Sequence, residues 1–198
     1  FDEKLMKTIN RLDKVVKYID IPLQHSNINV LKRMNRPAID YRKLVSDIRK
    51  NIKNVAIRTT FIVGYPGETD EEFEDLCQFV KEVKFDRIGV FTYSREKGTP
   101  AYSLKPQISA KVKKQRQKIL MNIQKEISKN INKQFTRKEI LCIIESIRSD
   151  GVVVARSYKD APEVDGLVYI TTQEYLTPGD IVKAKVVSSD EYDLYAQV

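Results

Sequence analysis

Three points along the sequence place polar side chains directly after an apolar run, where a folded chain could bind a small molecule. The first is residues 24–27, Gln-His-Ser-Asn, which follow residues 18–23. Gln24 and Ser26 are uncharged hydrogen-bonding groups, which suit a ribose or an amide better than proton transfer. His25, the only histidine of the chain, could act as an acid, a base or a ligand. The sequence favours the simpler interpretation, a hydrogen-bonded imidazole that orders the turn.

The second point is residues 64–69, Gly-Tyr-Pro-Gly-Glu-Thr, which follow the β-branched run 56–63. The two glycines permit close approach of the backbone to a ligand. The helix that follows would offer free N–H groups to an acceptor-rich ligand. The Lys-Ser/Thr pair of a phosphate-binding P-loop is absent. The segment therefore indicates either a tight strand-to-helix turn or a shelf for a cofactor fragment.

Arg58 is a permanent charge within this apolar run. Such a charge costs several kcal/mol to bury unless it is paired. Two kinds of partner could neutralise this charge: an internal acid such as Asp20 or Glu68, or the carboxylate of a ligand held by the guanidinium fork. The sequence does not decide between them.

The third point is residues 93–102, a long polar segment that follows residues 87–92. Tyr93 and Ser94 would face a substrate if this segment lined an active site, although a surface loop explains it equally well.

None of the three points supplies a nucleophile–base pair or a carboxylate dyad. Cys77 and Cys142 lie far apart, with no Cys or His at metal-ligand spacing. We therefore assign no catalytic residue and no metal ligand. The chain would supply half of an active site, without its reaction centre.

The elements that would position these residues are strands and helices in alternation. Strands are predicted at about 18–23, 56–63 and 87–93, and a capping box formed by Thr69 and Glu72 predicts a helix after the Gly-rich turn. Strand–loop–helix units imply parallel strands joined by right-handed crossovers. Three such strands make either an open sheet or half of a (β/α) barrel.

A different pattern begins after residue 104. Residues 107–135 predict one long helix with Ser109 as its N-cap. Its apolar stripe would be Val112, Ile119, Ile123, Ile127 and Ile131. Five short strands follow within residues 139–197, which predicts a small OB-like barrel. We predict two domains, residues 1–135 and 136–198.

Composition excludes several classes of protein and shows that charge is segregated. The chain has 198 residues, 41% hydrophobic and 31% charged, which is typical of a folded globular protein. No apolar run approaches the ~20 residues of a membrane span, and we expect a cytoplasmic protein without a membrane partner.

The net charge of +8 divides into +4 over residues 1–104, +10 over 105–138 and −6 over 139–198. The chain does not begin with Met, which indicates that it was cut from a longer protein.

Several of these segments together resemble the methylthiotransferases of the radical SAM superfamily. They are residues 18–25 (Tyr-Ile-Asp-Ile-Pro-Leu-Gln-His), 31–36 (Leu-Lys-Arg-Met-Asn-Arg), 58–69 (Arg-Thr-Thr-Phe-Ile-Val-Gly-Tyr-Pro-Gly-Glu-Thr) and 98–102 (Gly-Thr-Pro-Ala-Tyr). Pro-Leu-Gln-His, with residues 160–166 and 192–194, is similar to the branch that methylthiolates an aspartate of ribosomal protein S12. The tRNA-modifying branch typically has Gln-Ser-Gly-Ser in place of residues 24–27. The resemblance is collinear over essentially the whole chain.

The resemblance implies a fold and cofactors. The fold would be the C-terminal half of a radical SAM (β/α) barrel followed by a TRAM domain. The whole enzyme would use S-adenosylmethionine (SAM) and two four-iron–four-sulfur clusters to replace a hydrogen on the aspartate β-carbon with a methylthio group. The cluster-binding Cys-x-x-x-Cys-x-x-Cys motif of the family is absent from this sequence. We therefore expect this chain alone to hold no cofactor and to be inactive.

The resemblance also implies site residues and partners. Gly64, Pro66, Gly67 and Glu68 would lie along the adenine of SAM, with Gln24 near the ribose. Arg58 becomes a candidate partner of the SAM carboxylate, and His25 gains no chemical role.

The charge pattern bears on the partner. An acidic TRAM domain suits a basic ribosomal protein better than tRNA, with Glu163 and Asp165 among the acids expected to contact it. Other acids would be Asp180, Asp190 and Glu191. The basic helix 107–135 has lysines spread over several faces, so it could contact ribosomal RNA or could simply be solvated. A tRNA methylthiotransferase and a non-catalytic TRAM adaptor are the alternatives.

Overall fold

The computed structural model describes residues 2–37 and 39–198. Over these residues the α-helices are α1 (Glu3–Arg11), α2 (Ile28–Arg33), α3 (Tyr41–Asn51), α4 (Asp70–Val83) and α5 (Ala110–Lys133), and Pro100–Ser103 forms a short 3₁₀ helix. The strands are β1 (Tyr18–Gln24), β2 (Ala56–Val63), β3 (Arg87–Thr92), β4 (Glu139–Ile147), β5 (Val153–Ser157), β6 (Val168–Thr171), β7 (Ile181–Ser189) and β8 (Leu194–Gln197). An α/β region is thus followed by an all-β region, as the sequence predicts.

Strands β1, β2 and β3 form a parallel sheet in that order. The predicted strand bounds are confirmed to within one residue. Because parallel strands run in one direction, their first residues share one edge of the sheet and their last residues share the opposite edge. We call these the amino edge, at Tyr18, Ala56 and Arg87, and the carboxyl edge, at Gln24, Val63 and Thr92.

Helices cover one face of this sheet. Alternate residues of β2 (Ile57, Thr59, Phe61 and Val63) are buried. The apolar members of that set pack in one hydrophobic cluster with side chains of α3 and α4. The opposite face is only partly covered, since Arg58, Thr60 and Ile62 are half-buried and Phe91 on β3 is 59% exposed; helices on one face are what half of a (β/α) barrel has.

Helix α5 forms where the sequence predicts it, with Ser109 as N-cap accepting from Val112 N. Its buried face differs from the predicted apolar stripe. The fully buried residues follow a four-residue repeat and are mostly polar: Arg116, Leu120, Gln124, Ser128 and Asn132. Ile119, a member of the predicted stripe, is 39% exposed, whereas Ile123 and Ile127 contact the core at its margin. The helix therefore packs through hydrogen bonds as well as apolar contacts.

Strands β4, β5, β6, β8 and β7 close into a barrel in that order. All neighbours are antiparallel except β6 and β8, which are parallel. Its core is a second hydrophobic cluster, built from alternate residues such as Ile140, Ile144, Val186 and Leu194. This confirms the five-stranded OB-like barrel that the turn spacing predicts.

Candidate functional site

The carboxyl edge brings together the three points at which polar residues follow an apolar strand. Gln24 ends β1 with a positive φ of 69° and pairs with Phe61 on β2. Gly64 follows β2 directly, and Tyr93 N donates to Val63 O at 2.9 Å. The sequence predicted each point separately, and the parallel register places Gln24, Gly64 and Tyr93 side by side.

The turn after β2 needs glycine for two reasons. Gly64 has φ of 73° and Gly67 has φ of 76°, which other residues rarely adopt. A Cβ atom at Gly64 would also collide with the side chain of Lys113 on α5. Gly67 N donates to Pro106 O at 2.9 Å, and the Tyr65 ring packs edge-on against Tyr93 with 5.1 Å between centroids. The turn is therefore a rigid backbone surface held from both sides.

Glu68 lies beneath this turn and faces α5. Its side chain is fully buried, one carboxylate oxygen accepts from Gly64 N at 2.8 Å, and the other accepts from Arg116 Nη1 at 2.6 Å. Burial raises the pKa of the Glu68 carboxyl, and Arg116 with the Gly64 and Tyr65 N–H groups opposes that shift. The expectation that Glu68 lies along a ligand with the glycines is corrected, because its carboxylate supports the turn from below.

Arg116 is a site residue that the sequence did not reveal. Besides Glu68 Oε1 it donates to the Glu68 carbonyl at 3.1 Å and to Asp70 Oδ1 at 2.7 Å. It lies 48 positions after Glu68 within a run of lysines, so its only sequence signal was membership of a basic helix. One guanidinium therefore connects helix α5 to the turn and to the start of α4.

His25 orders the end of β1. Its Nδ1 accepts from Asn27 N at 3.0 Å, and its Nε2 lies 3.8 Å from Glu68 Oε2. Complete burial lowers the pKa of His25 to about 3, so the imidazole is neutral near pH 7. Because Nδ1 accepts a hydrogen bond, the proton lies on Nε2, on the side of Glu68. This geometry agrees with the turn-ordering interpretation rather than with an acid, base or ligand.

Several buried polar atoms at the carboxyl edge have no hydrogen-bond partner among the residues that the structure describes. Three of them belong to neutral side chains, Gln24 Oε1, Ser26 Oγ and Tyr93 OH, and the other two are His25 Nε2 and Arg33 Nε. Buried polar atoms in folded proteins are nearly always paired, and a cluster without partners requires an explanation. The neighbouring Ser94 is exposed, and its hydroxyl donates to Glu96 Oε1 at 2.5 Å. A ligand with hydrogen-bonding groups would satisfy the three atoms.

The amino edge, in contrast, is closed by the barrel domain. Arg58 is the third residue of β2, about 20 Å from Gly64 along the extended strand. Its Nη1 donates to Asp20 Oδ2 at 2.7 Å, and its Nε lies 3.6 Å from Asp165 Oδ1. Of the two partners that the sequence left open, the structure has the internal acid. Arg58 is too far from the turn to hold the carboxylate of a ligand there.

Asp165 is a correction to the expected substrate-binding acids. Its side chain is 3% exposed. One oxygen accepts from Tyr18 OH at 2.6 Å and from Ala161 N at 2.9 Å. An acid engaged in this way has no oxygen free for a protein partner. Glu163, by comparison, is exposed with φ of 61°, and its role stays a prediction.

A buried ion pair between the domains also escaped sequence reasoning. Arg87, the first residue of β3, donates from Nη2 to Asp160 Oδ1 at 2.7 Å and from Nη1 to Ser128 Oγ at 2.8 Å. Nearby, Lys159 Nζ donates to Asn132 Oδ1 at 2.9 Å, and burial lowers the pKa of Lys159 to about 8. A cavity of about 310 Å³ lies beside these contacts, lined in part by Arg58, Arg87 and Gln124. The charged residues of the amino edge join the two domains.

Comparison with known proteins matches both halves of this architecture. The radical SAM superfamily model matches residues 1–80, and the TRAM domain model matches residues 138–198. The chain is 52% identical over 197 residues to the ribosomal protein uS12 methylthiotransferase RimO of Caldanaerobacter subterraneus subsp. tengcongensis, covering 98% of this chain and 45% of that protein. It is 44% identical over 200 residues to the protein of the same name from Acetivibrio thermocellus, covering 100% of this chain and 44% of that protein.

The chain is thus similar over nearly its whole length to these uS12 methylthiotransferases, and its two matched segments are a radical SAM segment followed by a TRAM domain. The resemblance that the sequence motifs indicate is confirmed. The chain spans about half the length of the curated relatives it matches.

The cysteines of this chain are unsuited to hold an iron–sulfur cluster. A cluster needs accessible thiolates, but Cys77 lies in α4 and Cys142 in β4, in different hydrophobic clusters. Burial raises the pKa of Cys77 to about 11 and that of Cys142 to about 12, which disfavours the thiolate. Within residues 2–37 and 39–198, no group of three or more His, Cys, Asp or Glu side chains could hold a metal ion. The residues present do not fit a cluster.

In the part of the chain that the structure describes, no helix is long and apolar enough to cross a membrane.

Proposed function

We propose that this chain is part of an enzyme that methylthiolates the β-carbon of an aspartate of ribosomal protein uS12. The observation that carries the proposal is 52% identity, over 98% of the chain, to a protein named for that activity. Because the chain spans 45% of that relative, the activity belongs to a protein of the relative's full length. We expect such an enzyme in the cytoplasm, where its ribosomal substrate is assembled.

The carboxyl edge would bind SAM in that protein. Gly64, Pro66 and Gly67 form the turn that the family resemblance places along the adenine; Gly64 and Pro66 are buried, and Gly67 is the partly exposed member that a ligand would contact. Gln24 supplies an amide oxygen that has no partner among the described residues and could accept from a ribose hydroxyl. Tyr93 and Ser94 lie at the end of the next strand, on the side where a substrate would enter. Bound SAM supplies the hydrogen-abstracting chemistry, and cluster ligands are not among the residues of this chain.

The residues of the chain itself hold this surface in shape and keep water from it. Glu68 and Arg116 hold the turn backbone, His25 holds the end of β1, and Tyr65 packs against Tyr93. Lys113 Nζ donates to Tyr93 O at 2.7 Å and lies over the Tyr93 ring. A rigid, water-poor wall protects reactive chemistry from side reactions.

The TRAM domain would contact uS12, although its surface is less acidic than its sequence. Exposed carboxylates are Glu139, Glu145, Asp150, Glu163, Glu174 and Asp180. The other five acids, Asp160, Asp165, Asp190, Glu191 and Asp193, are buried or half-buried and bond within the chain. Exposed cations of the same domain are Arg137, Lys138, Arg148, Lys183 and Lys185. Exposed acids and cations are thus nearly balanced in number, so the identity to the uS12 enzymes, rather than the surface charge, supports the choice of a protein substrate over tRNA.

The test compares two variants of this chain, each made within a protein as long as the curated relatives. We expect Gln24→Ala to weaken SAM binding about fivefold, since one hydrogen bond contributes about 1 kcal/mol, with little change in the free energy of unfolding. Arg58→Met is the control, because Arg58 lies at the amino edge and should leave SAM affinity unchanged. Mass spectrometry of uS12 should show one methylthio group on an aspartate. Modification of tRNA with unmodified uS12 would contradict the proposal.

A further inference from the structure

Six lysines form a straight ridge on the outward face of α5. They are Lys111, Lys114, Lys118, Lys125, Lys129 and Lys133, and all are exposed except the half-exposed Lys125. Their steps of three, four or seven residues keep them on one side of a helix with about 3.6 residues per turn, over about 33 Å. The sequence-based expectation that the lysines spread over several faces is wrong for these six. The remaining cations, Lys113 and Arg116, point inward and have partners there.

The ridge has little compensating charge within the chain. Glu126 is the one acid of α5. Lys125 and Lys129 share Glu191, at 3.5 Å and 3.9 Å. Among the described residues, the other four ridge lysines form no ion pair within 4.0 Å.

This arrangement is unfavourable for the helix alone. Like charges three or four residues apart destabilise a helix by about 0.2–0.5 kcal/mol per pair, and the ridge contains four such pairs. A helix selected only for solubility would mix Glu with Lys on its exposed face. The ridge therefore suits an external polyanion.

We propose that the lysine ridge binds the phosphate backbone of structured RNA. Lysine is a flexible point charge, which suits phosphates, and the ridge has no aromatic side chain to stack on a base. A row of cations along one line of about 33 Å matches a continuously charged backbone better than it matches the irregular acids of a folded protein. Binding would be independent of base sequence.

The proposal goes beyond the proposed function, because RNA binding by this ridge requires neither SAM nor methylthiolation. It also accounts for the opposite charges of neighbouring segments. The segment that contains the ridge, residues 105–138, has a net charge of +10, and the residues that follow, 139–198, have a net charge of −6. A target made of both RNA and basic protein would engage both.

The experiment measures binding of the 198-residue chain to a fluorescent RNA hairpin at several KCl concentrations. The ridge variant is K111E/K114E/K118E. The control is K43E/K50E/K53E, which makes the same charge change at exposed lysines on and beside α3. At about 100 mM KCl we expect at least a tenfold loss of affinity for the ridge variant and a decrease of about 2–3 in the slope of log K against log salt. The control should lose less than threefold.

Three further results decide the proposal. The variant K111R/K114R/K118R should retain affinity, because it keeps the three positive charges. Circular dichroism should show that each variant is folded. Equal losses in the ridge and control variants would show that only net charge matters and would overturn the proposal. Absence of binding by the unaltered chain, or equally tight binding to poly-glutamate, would also overturn it.

Discussion

The two edges of the parallel sheet use polar residues in opposite ways. At the amino edge, Arg58 and Arg87 are engaged by carboxylates that include two from the TRAM domain. At the carboxyl edge, the buried atoms without partners among the described residues include three on neutral side chains, Gln24, Ser26 and Tyr93, besides His25 Nε2 and Arg33 Nε. The comparison shows that the paired charges of β2 and β3 mark the contact between domains, whereas the neutral groups at the strand ends mark the surface where we propose a ligand.

The largest expected effect tests whether the amino edge depends on its buried charges. Asp160→Ala should lower the free energy of unfolding by about 3–5 kcal/mol, because it leaves the Arg87 guanidinium buried without its carboxylate. The matched control is Asp70→Ala at the other edge. Both acids accept from an arginine Nη2 at 2.7 Å, but the Asp160 side chain is 3% exposed and that of Asp70 is 94% exposed.

We expect Asp70→Ala to cost at most about 1 kcal/mol, since exposed pairs contribute little. Urea unfolding of both variants measures the difference. Similar losses for the two variants would show that burial does not distinguish the edges.

The next prediction concerns His25 and the acid sensitivity of the carboxyl edge. Its pKa in the folded chain is about 3, against 6.5 for the free imidazole. The unfolded chain therefore binds a proton first as the pH falls, and stability is lost between pH 6.5 and pH 3. By pH 5 this loss is about 2 kcal/mol.

The variant His25→Asn removes the titrating group and keeps an oxygen that can accept from Asn27 N. The free energy of unfolding, measured from pH 7 to pH 5, should fall by about 2 kcal/mol more in the unaltered chain than in the variant. Parallel curves would mean that His25 is not held neutral, and the interpretation of a turn-ordering imidazole would fail.

Local sequence patterns predicted the elements but not their long-range partners. Strand β2 and helix α4 follow from β-branched residues and from the Thr69–Glu72 capping box, which need only neighbouring residues. The buried face of α5 could not be predicted from its apolar stripe. Its polar residues are buried because they meet groups far away in sequence, such as Glu68 for Arg116 and Lys159 for Asn132.

The candidate site shows the same limit. Gln24 and Gly64 were found because they follow strands, and parallel strands end at one edge. Asp165 was assigned to substrate binding because it is an acid on a loop, and only its contact with Tyr18 shows that it is internal. A family resemblance names the residues of a site but not which of them face the ligand and which support it, as Glu68 shows.

The smallest expected effect concerns Lys159, a buried residue at the amino edge. Burial lowers its pKa, as it lowers that of His25 at the carboxyl edge. Burial, with the nearby Arg87 charge, lowers the pKa of Lys159 from 10.5 to about 8. As the pH rises above 8, the folded chain releases this proton while the unfolded chain keeps it until about 10.5, so stability rises with pH over that window. The gain at pH 9 is about 1 kcal/mol.

Lys159→Met removes the titrating group while it keeps the contact with the Phe135 ring, over which Lys159 Nζ lies at 4.4 Å. The free energy of unfolding should therefore rise between pH 7.5 and pH 9 by about 1 kcal/mol more in the unaltered chain than in Lys159→Met. An equal pH dependence would show that water reaches the ammonium group. The amino edge would then be open rather than closed by the TRAM domain, and the contrast with the carboxyl edge would not hold.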